Sequence, residues 1–117
     1  MLNLNRVELI GHTGKVEIKT VNGSKFATIN FATSERWTKD GERKDRTDWH
    51  RLVTFRPATV ELIDAHIGKG DFLRVVGKLR STSWEQDGET RYGTEIHIAE
   101  IGFLQPKDAG DDSEGAA

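Results

Sequence analysis

The chain has 117 residues, of which 35% are hydrophobic and 31% are charged, a composition typical of one soluble globular domain. It contains no cysteine, which excludes disulfide cross-links and thiolate metal sites. No apolar run reaches the roughly 20 residues of a membrane helix, and the start MLNLNRVELIGHTG has no leader pattern. We therefore expect a cytoplasmic protein that does not contact a membrane.

The formal net charge of −2 is unevenly distributed along the chain. Residues 1–106 carry 16 basic and 15 acidic side chains, whereas residues 107–117 carry one lysine and four acids. The second segment has no aromatic or β-branched residue, so it buries too little apolar surface to offset the entropy of ordering. We predict one folded domain over 1–106 and a short disordered acidic tail over 107–117.

The first half of the chain predicts β-strands, because apolar and polar residues alternate with a period of two. A first strand covers 7–11 and continues over 15–20, with a bulge or sharp bend at 12–14 that the flanking glycines permit. Asn22-Gly23 predicts a tight hairpin into a second strand over 25–34. Alternation places three apolar residues of that strand on one face: Ala27, Ile29 and Phe31.

The middle of the chain predicts a long hairpin and one helix. Asp40-Gly41 marks the tip of a polar hairpin that returns into a third strand over 47–55. Pro57 is suited to the first turn of a helix, because its missing N–H would have no partner there. Gly68-Lys69-Gly70 ends that helix. Its apolar positions repeat at helical spacing: Val60, Ile63 and Ile67.

The last predicted elements are a fourth strand over 72–84, a turn at Asp87-Gly88 and a fifth strand over 91–104. The complete order is β-β-β-α-β-β. A five-stranded antiparallel meander with a helix between strands three and four is the OB-fold arrangement, an all-β barrel. The face and loops of this barrel often bind oligonucleotides or oligosaccharides.

The third strand carries an unusual face. Period-two alternation puts four residues on it: Trp49, Arg51, Val53 and Phe55. A core face would not hold an unpaired arginine between two large rings, because an unpaired buried charge is costly. A nucleic-acid platform would, since bases stack on aromatic rings and cations neutralise the phosphates.

The fourth strand and the two long hairpins repeat this pattern. Even spacing on the fourth strand gives one basic side, and the odd positions Leu73, Val75 and Leu79 give the core side. Each of the three tryptophans has a basic residue near it in the sequence, which favours binding over a solvated charged surface. The predicted binding set is Arg36, Trp37, Arg43, Lys44, Trp49, Arg51, Phe55, Arg74, Lys78, Arg80, Trp84 and Arg91. The remaining phenylalanines are assigned to the core or to strand edges: Phe26, Phe31, Phe72 and Phe103.

Five segments resemble the bacterial single-stranded DNA-binding protein family. They are RVELIGHTGK (6–15), ATSERW (32–37), TDWHRLVTF (47–55), GKLRSTSW (77–84) and RYGTEI (91–96). The match runs from about Asn5 to Leu104 in the family's order and spacing, and its W-H-R-x-V-x-F stretch is specific.

The resemblance implies a non-enzymatic protein that coats single-stranded DNA without sequence preference in replication, recombination and repair. It implies base stacking at Trp37, Trp49, Phe55 and Trp84. It also implies a homotetramer of OB folds, with a dimer left open as an alternative. The implied subunit interface contains His50 and the first strand with Val7 and Leu9. Bound to DNA, such a protein is associated with the nucleoid.

The chain departs from the family pattern at three places. The acidic tail ends Ser113-Glu114-Gly115-Ala116-Ala117, without the family's Pro-Phe tip, so the resemblance does not predict recruitment of replication and repair proteins by that route. Residues 11–14 read Gly-His-Thr-Gly where a Gly-Asn-Leu-Gly type of turn is more usual. Arg74 stands where many relatives have an aromatic or apolar residue.

Two other classes of function have less support from the residues. The four histidines have no paired-ligand spacing, and neither a phosphate-binding glycine loop nor a nucleophile elbow is present, so we predict no enzyme, no cofactor and no metal site. Carboxylates do cluster in the tail, where solvated charge is the simpler interpretation. The alternative that stays open is an OB-fold accessory adaptor whose main partner is another protein.

Overall fold

The computed structural model describes residues 2–104, and the predicted tail over 107–117 lies outside the described residues. The elements occur in the predicted order of three strands, one helix and two strands. They are β1 (Val7–Val21), β2 (Ser24–Lys39), β3 (Glu42–Thr54), α1 (Pro57–His66), β4 (Phe72–Gln86) and β5 (Glu89–Phe103). Over residues 2–104, no helix has the length and apolar character that crossing a membrane requires.

Three two-residue turns connect the consecutive strands, as the sequence predicts. Asn22-Gly23, Asp40-Gly41 and Asp87-Gly88 have positive φ at both positions, between 52° and 80°. This backbone twist matches that of the flanking strands, and only small or Asn/Asp-type residues adopt it readily. The turn residues therefore determine where each hairpin reverses.

The five strands close into a barrel in the order β1-β2-β3-β5-β4. The OB-fold prediction is confirmed, but the prediction of an all-antiparallel meander is wrong. The ladder between β3 and β5 is parallel, with Leu52–Val53 opposite Ile96–His97. The physical reason is the crossover through α1 and β4, which brings β5 back beside β3 in the same direction.

The core lies inside this barrel and under α1. The predicted inward residues of β2 and of the helix are buried, as are Leu73 and Val75 of β4. The buried cluster contains Ala27, Ile29, Phe31, Leu52, Val60, Ile63, Ile67, Leu73, Val75 and Ile96. Leu79 does not belong to it: its side chain is 47% exposed, so its assignment to the core is wrong.

The two long hairpins explain the exposure of Leu79. β2 and β3 stay paired from Ala27–Thr54 to Lys39–Glu42, and β4 and β5 stay paired to Gln86–Glu89, further than the predicted strand limits. Both hairpins are largely solvent-exposed toward their tips, so their side chains no longer alternate between core and solvent. The inward register of a residue such as Leu79 therefore does not bury it.

The predicted bend in β1 is a β-bulge, and the buried side chain of Thr13 forms hydrogen bonds beside it. The register against β2 shifts between Thr13 and Val16. The Thr13 hydroxyl donates to the Gly68 carbonyl at 2.5 Å and accepts from the Asp71 N–H at 2.9 Å. Because Thr13 is only 5% exposed, these bonds satisfy groups that would otherwise be buried without partners, and they hold the α1–β4 connection against the barrel.

Candidate nucleic-acid interface

The outer face of the barrel carries the predicted aromatic and basic residues of β3. We define the outer face as the side of the sheet opposite the buried cluster. Trp49 and Phe55 are 62% and 59% exposed on it, and Arg51 lies between them and is exposed. Val53 shares this face but is only 2% exposed, because it lies between neighbouring strands opposite Thr28 and His97. The β3 face is therefore an open row of rings with one cation.

Two of the tryptophan rings lie over glycines. A Cβ atom at Gly14 would come within 2.8 Å of the Trp49 ring, and one at Gly93 within 3.2 Å of the Trp84 ring. The absence of a side chain at each glycine leaves space for the indole to approach the backbone there. Trp49 and Trp84 nevertheless stay 62% and 48% exposed, so each ring has surface on which a base could stack.

The hairpin of β4 and β5 extends the outer face. Its register pairs Lys78 with His97, Arg80 with Glu95, and Trp84 with Arg91. Paired residues of an antiparallel ladder share a face, so the predicted residues of β4 lie on the same side of the sheet as Trp49. Within residues 2–104, neither Lys78 nor Arg80 forms an ion pair with a carboxylate. Both cations are therefore open to an anionic ligand.

One carboxylate lies in the middle of this basic face. Glu95 is 17% exposed and accepts a hydrogen bond from Arg51 Nε at 3.4 Å. Its other oxygen lies 2.9 Å from His97 Nε2. Glu95 thus orients the arginine and the imidazole, and it competes with any phosphate for Arg51.

The structure divides the predicted residues of the β2–β3 hairpin between two faces. Arg36 and Arg43 are in register with the outer face, whereas Trp37 and its cross-strand partner Lys44 lie on the opposite face. Trp37 is 43% exposed there. A single ligand chain that contacted both Trp37 and Trp49 of one protomer would have to pass around the β2–β3 hairpin.

Arg74 lies on the outer face but is occupied by two carboxylates. Its Nε donates to Glu8 at 2.7 Å, and its Nη1 lies 3.8 Å from Glu100. Arg74 therefore differs from Lys78 and Arg80 in already having anionic partners.

The residues predicted at a subunit interface are placed as follows. His50 is half-buried on the face opposite Trp49, and its Nε2 lies 2.9 Å from the Thr33 hydroxyl. Val7 and Leu9 are half-buried and pack against the core of their own barrel. On the same strand Ile10 points outward and is 51% exposed.

Two residues of the outer face were not among the predicted binding residues. The Phe26 ring stacks on Phe55 with centroids 5.4 Å apart, and His97 lies 5.8 Å from Phe55 on another side. Phe26 alternates with the buried residues of β2, so it lies on the outer face and not in the core. What the sequence did not show is the register that brings Phe26 and His97 to Phe55.

Elsewhere on the barrel, basic residues are also neutralised locally. The hydrogen bond from Lys15, 3.1 Å away, lowers the pKa of Glu17, with Lys19 contributing at 3.5 Å. Because the pKa of the Glu17 carboxyl is lower in the folded chain than in the unfolded chain, its charged form stabilises the fold at pH values above the unfolded-state pKa. This contribution to stability is lost as the pH falls through the folded-state pKa.

In the described part of the chain, no three His, Cys, Asp or Glu side chains lie close enough together to hold a metal ion.

Comparisons with known proteins agree with this geometry. The sequence model of the single-strand binding protein family matches residues 4–104. The single-stranded DNA-binding protein of Rickettsia prowazekii is 34% identical, over 97% of this chain and 81% of that protein. A structure of Plasmodium falciparum SSB complexed with ssDNA matches with a TM-score of 0.80 and 35% identity, over 90% of this chain and 98% of that one.

A more distant structure shares the fold. The small single-stranded DNA-binding protein from Streptomyces coelicolor is 16% identical and superposes with a TM-score of 0.69, over 87% of this chain and 95% of that one. The resemblance found in the sequence is confirmed by the family match and by the Rickettsia relative. This chain belongs to the single-strand binding protein family.

Proposed function

We propose that this protein binds single-stranded DNA without sequence preference, through base stacking and phosphate neutralisation on the outer face. The observation that carries the proposal is the exposure of three large rings, Trp49, Phe55 and Trp84, on one face with unpaired cations. Several large exposed rings grouped on one face of a barrel mark a surface that binds a ligand or a partner. The family and its solved complex with ssDNA support the same ligand.

The chemistry of the face accounts for the absence of sequence preference. Stacking on a ring contributes about 1–3 kcal/mol per base and accepts every base, because each base has a π-face. Lysine and arginine contact phosphates, which carry no sequence information. Duplex DNA keeps its bases stacked on one another, so the same rings favour single strands.

The cellular role follows from stoichiometric binding rather than turnover. We propose that the protein coats exposed single strands during replication, recombination and repair in the bacterial cytoplasm. We also propose that it acts as a homotetramer, with His50 and strand β1, which contains Val7 and Leu9, at the subunit contacts. In that arrangement each protomer contributes one outer face to a strand that passes around the assembly.

A titration of intrinsic tryptophan fluorescence tests the binding function. We expect oligo-dT to quench the fluorescence strongly and duplex DNA of equal length to quench it weakly, because the indoles stack only on unpaired bases. Raising the salt concentration should weaken the oligo-dT signal, since the release of counterions from the phosphates is less favourable at higher salt. Equal or absent responses to both DNAs, from a folded protein, would contradict the proposal and favour the adaptor function with a protein partner.

A pair of arginine variants tests which cations contact phosphate. Arg80→Gln should reduce the slope of log K against log[salt] by about 0.7, the value for one phosphate of a single strand. Arg74→Gln should change the slope less, because Glu8 and Glu100 already partner that guanidinium. Binding isotherms at four salt concentrations measure both slopes. Equal loss in the two variants would show that DNA displaces the carboxylates from Arg74.

A further inference from the structure

Three rings from three different parts of the sheet meet at the end of β3. Phe26 of β2 and Phe55 stack with centroids 5.4 Å apart and an angle of 29° between their planes. His97 of β5 lies 5.8 Å from Phe55 at an angle of 50°. We call these three residues the ring cluster. They form one aromatic surface that continues the row of Trp49 and Arg51 along the outer face.

The ring cluster is open to solvent. Phe55 is 59% exposed, Phe26 is half-buried, and the His97 side chain is 32% exposed. Rings that served only to fill the core would be buried like Phe31, which is 0% exposed. Phe26 and His97 instead border Phe55 on the surface, where their contacts restrict the orientation of its ring.

Cations lie on two sides of the ring cluster. Lys78 of β4 is directly across the ladder from His97. Phe55 also lines a cleft of about 300 Å³ together with Ser24, Lys25, Pro57, Val60 and Glu61. Among the described residues, Lys25 and Lys78 form no ion pair, whereas Glu95 bonds His97 at 2.9 Å and holds its imidazole in place. An exposed aromatic ring flanked by two free cations is complementary to a base with phosphates on either side.

We propose that the ring cluster is a further base-stacking site, in which Phe26 and His97 act with Phe55. Its ligand is a nucleobase of the bound single strand, and Lys25 and Lys78 neutralise the phosphates beside it. This inference rests on the proposed function and extends the interface beyond the residues that the sequence predicts. Stacking on Phe55 then depends on rings contributed by β2 and β5, and not on β3 alone.

Two variants measured on two oligomers test the proposal. Phe26→Leu and His97→Gln should each bind oligo-dT about five-fold or more weakly than the unchanged protein, the lower limit expected for one lost stacking contact. Both should bind an all-abasic oligomer of equal length as tightly as the unchanged protein, because that strand has phosphates and no bases. Lys25→Gln should weaken the binding of both oligomers, since it removes a phosphate contact.

Tyr92→Leu is the matched control, because this ring is 78% exposed but lies on the other face of the β4–β5 hairpin. Circular dichroism verifies that each variant is folded, and His97→Gln carries the test if Phe26→Leu does not fold. If the Phe26→Leu and His97→Gln variants keep the affinity of the unchanged protein for oligo-dT, or lose equal affinity for both oligomers, the ring-cluster proposal is wrong. The proposed function still stands in that case, provided that the unchanged protein binds oligo-dT. Failure of the unchanged protein to bind oligo-dT would overturn both.

Discussion

Replacing Trp49 by alanine should weaken the binding of single-stranded DNA by about 1–3 kcal/mol, roughly 5- to 150-fold in Kd. The indole is 62% exposed and rests on Gly14, so its removal takes away a stacking surface without opening the core. The melting temperature and the oligomeric mass should stay unchanged. Fluorescence anisotropy with labelled oligo-dT measures the affinity, and thermal unfolding measures the stability.

Tyr92→Ala provides the control for Trp49→Ala. It removes an exposed ring of comparable size from the face of the β4–β5 hairpin opposite Trp84, and we expect it to leave the affinity unchanged. A Trp49→Ala protein that unfolds would show that the indole is a packing residue. A folded Trp49→Ala protein with unchanged affinity for oligo-dT would show that Trp49 does not contact the DNA.

Gly77→Ala should lower the free energy of unfolding by about 2–3 kcal/mol. An added Cβ would overlap the His97 carbonyl oxygen and come within 3.0 Å of Ile96 Cγ2. Gly77 lies at the irregularity in the β4–β5 ladder and also pairs with Val7 of β1. The clashing His97 carbonyl belongs to the backbone, which moves less easily than a flexible side chain. The clash can therefore be relieved only if β4 and β5 move apart at this point of the barrel.

Gly102→Ala is the matched comparison for Gly77→Ala. Gly102 also lies in the β4–β5 ladder, but nothing lies within 4 Å of a Cβ added there. Its replacement should change the free energy of unfolding by less than about 0.5 kcal/mol. Thermal unfolding at one protein concentration should show a fall in Tm of about 10–20 °C for Gly77→Ala. Equal melting of both variants would contradict the close approach of β4 to β5.

Local signals in the sequence predicted the strands, the helix and the turns well. Asn22-Gly23, Asp40-Gly41 and Asp87-Gly88 adopt the positive φ that their residue types favour. Pro57 begins the helix, and the apolar alternation of β2 is buried as predicted. These features depend on the conformational preferences of a few adjacent residues and on side-chain period, both of which can be read from the chain itself.

The predictions failed where distant segments decide the environment of a residue. Leu79 has the inward register of a core residue, yet it is exposed where the hairpin leaves the barrel. Val53 shares the face of exposed rings, yet its neighbours on β2 and β5 bury it. The parallel contact of β3 with β5 is likewise a consequence of barrel closure, which no local pattern contains.

The sequence by itself determined the order of the elements, the positions of the turns, the family and the row of Trp49, Arg51 and Phe55 on one strand. Only the tertiary structure decided which cations are free, because Glu8 and Glu100 reach Arg74 from other strands. It also decided that Phe26 and His97 join Phe55, and that Trp37 lies on the opposite face. The physical reason is that side-chain period assigns a residue to a face, whereas register between strands selects its neighbours.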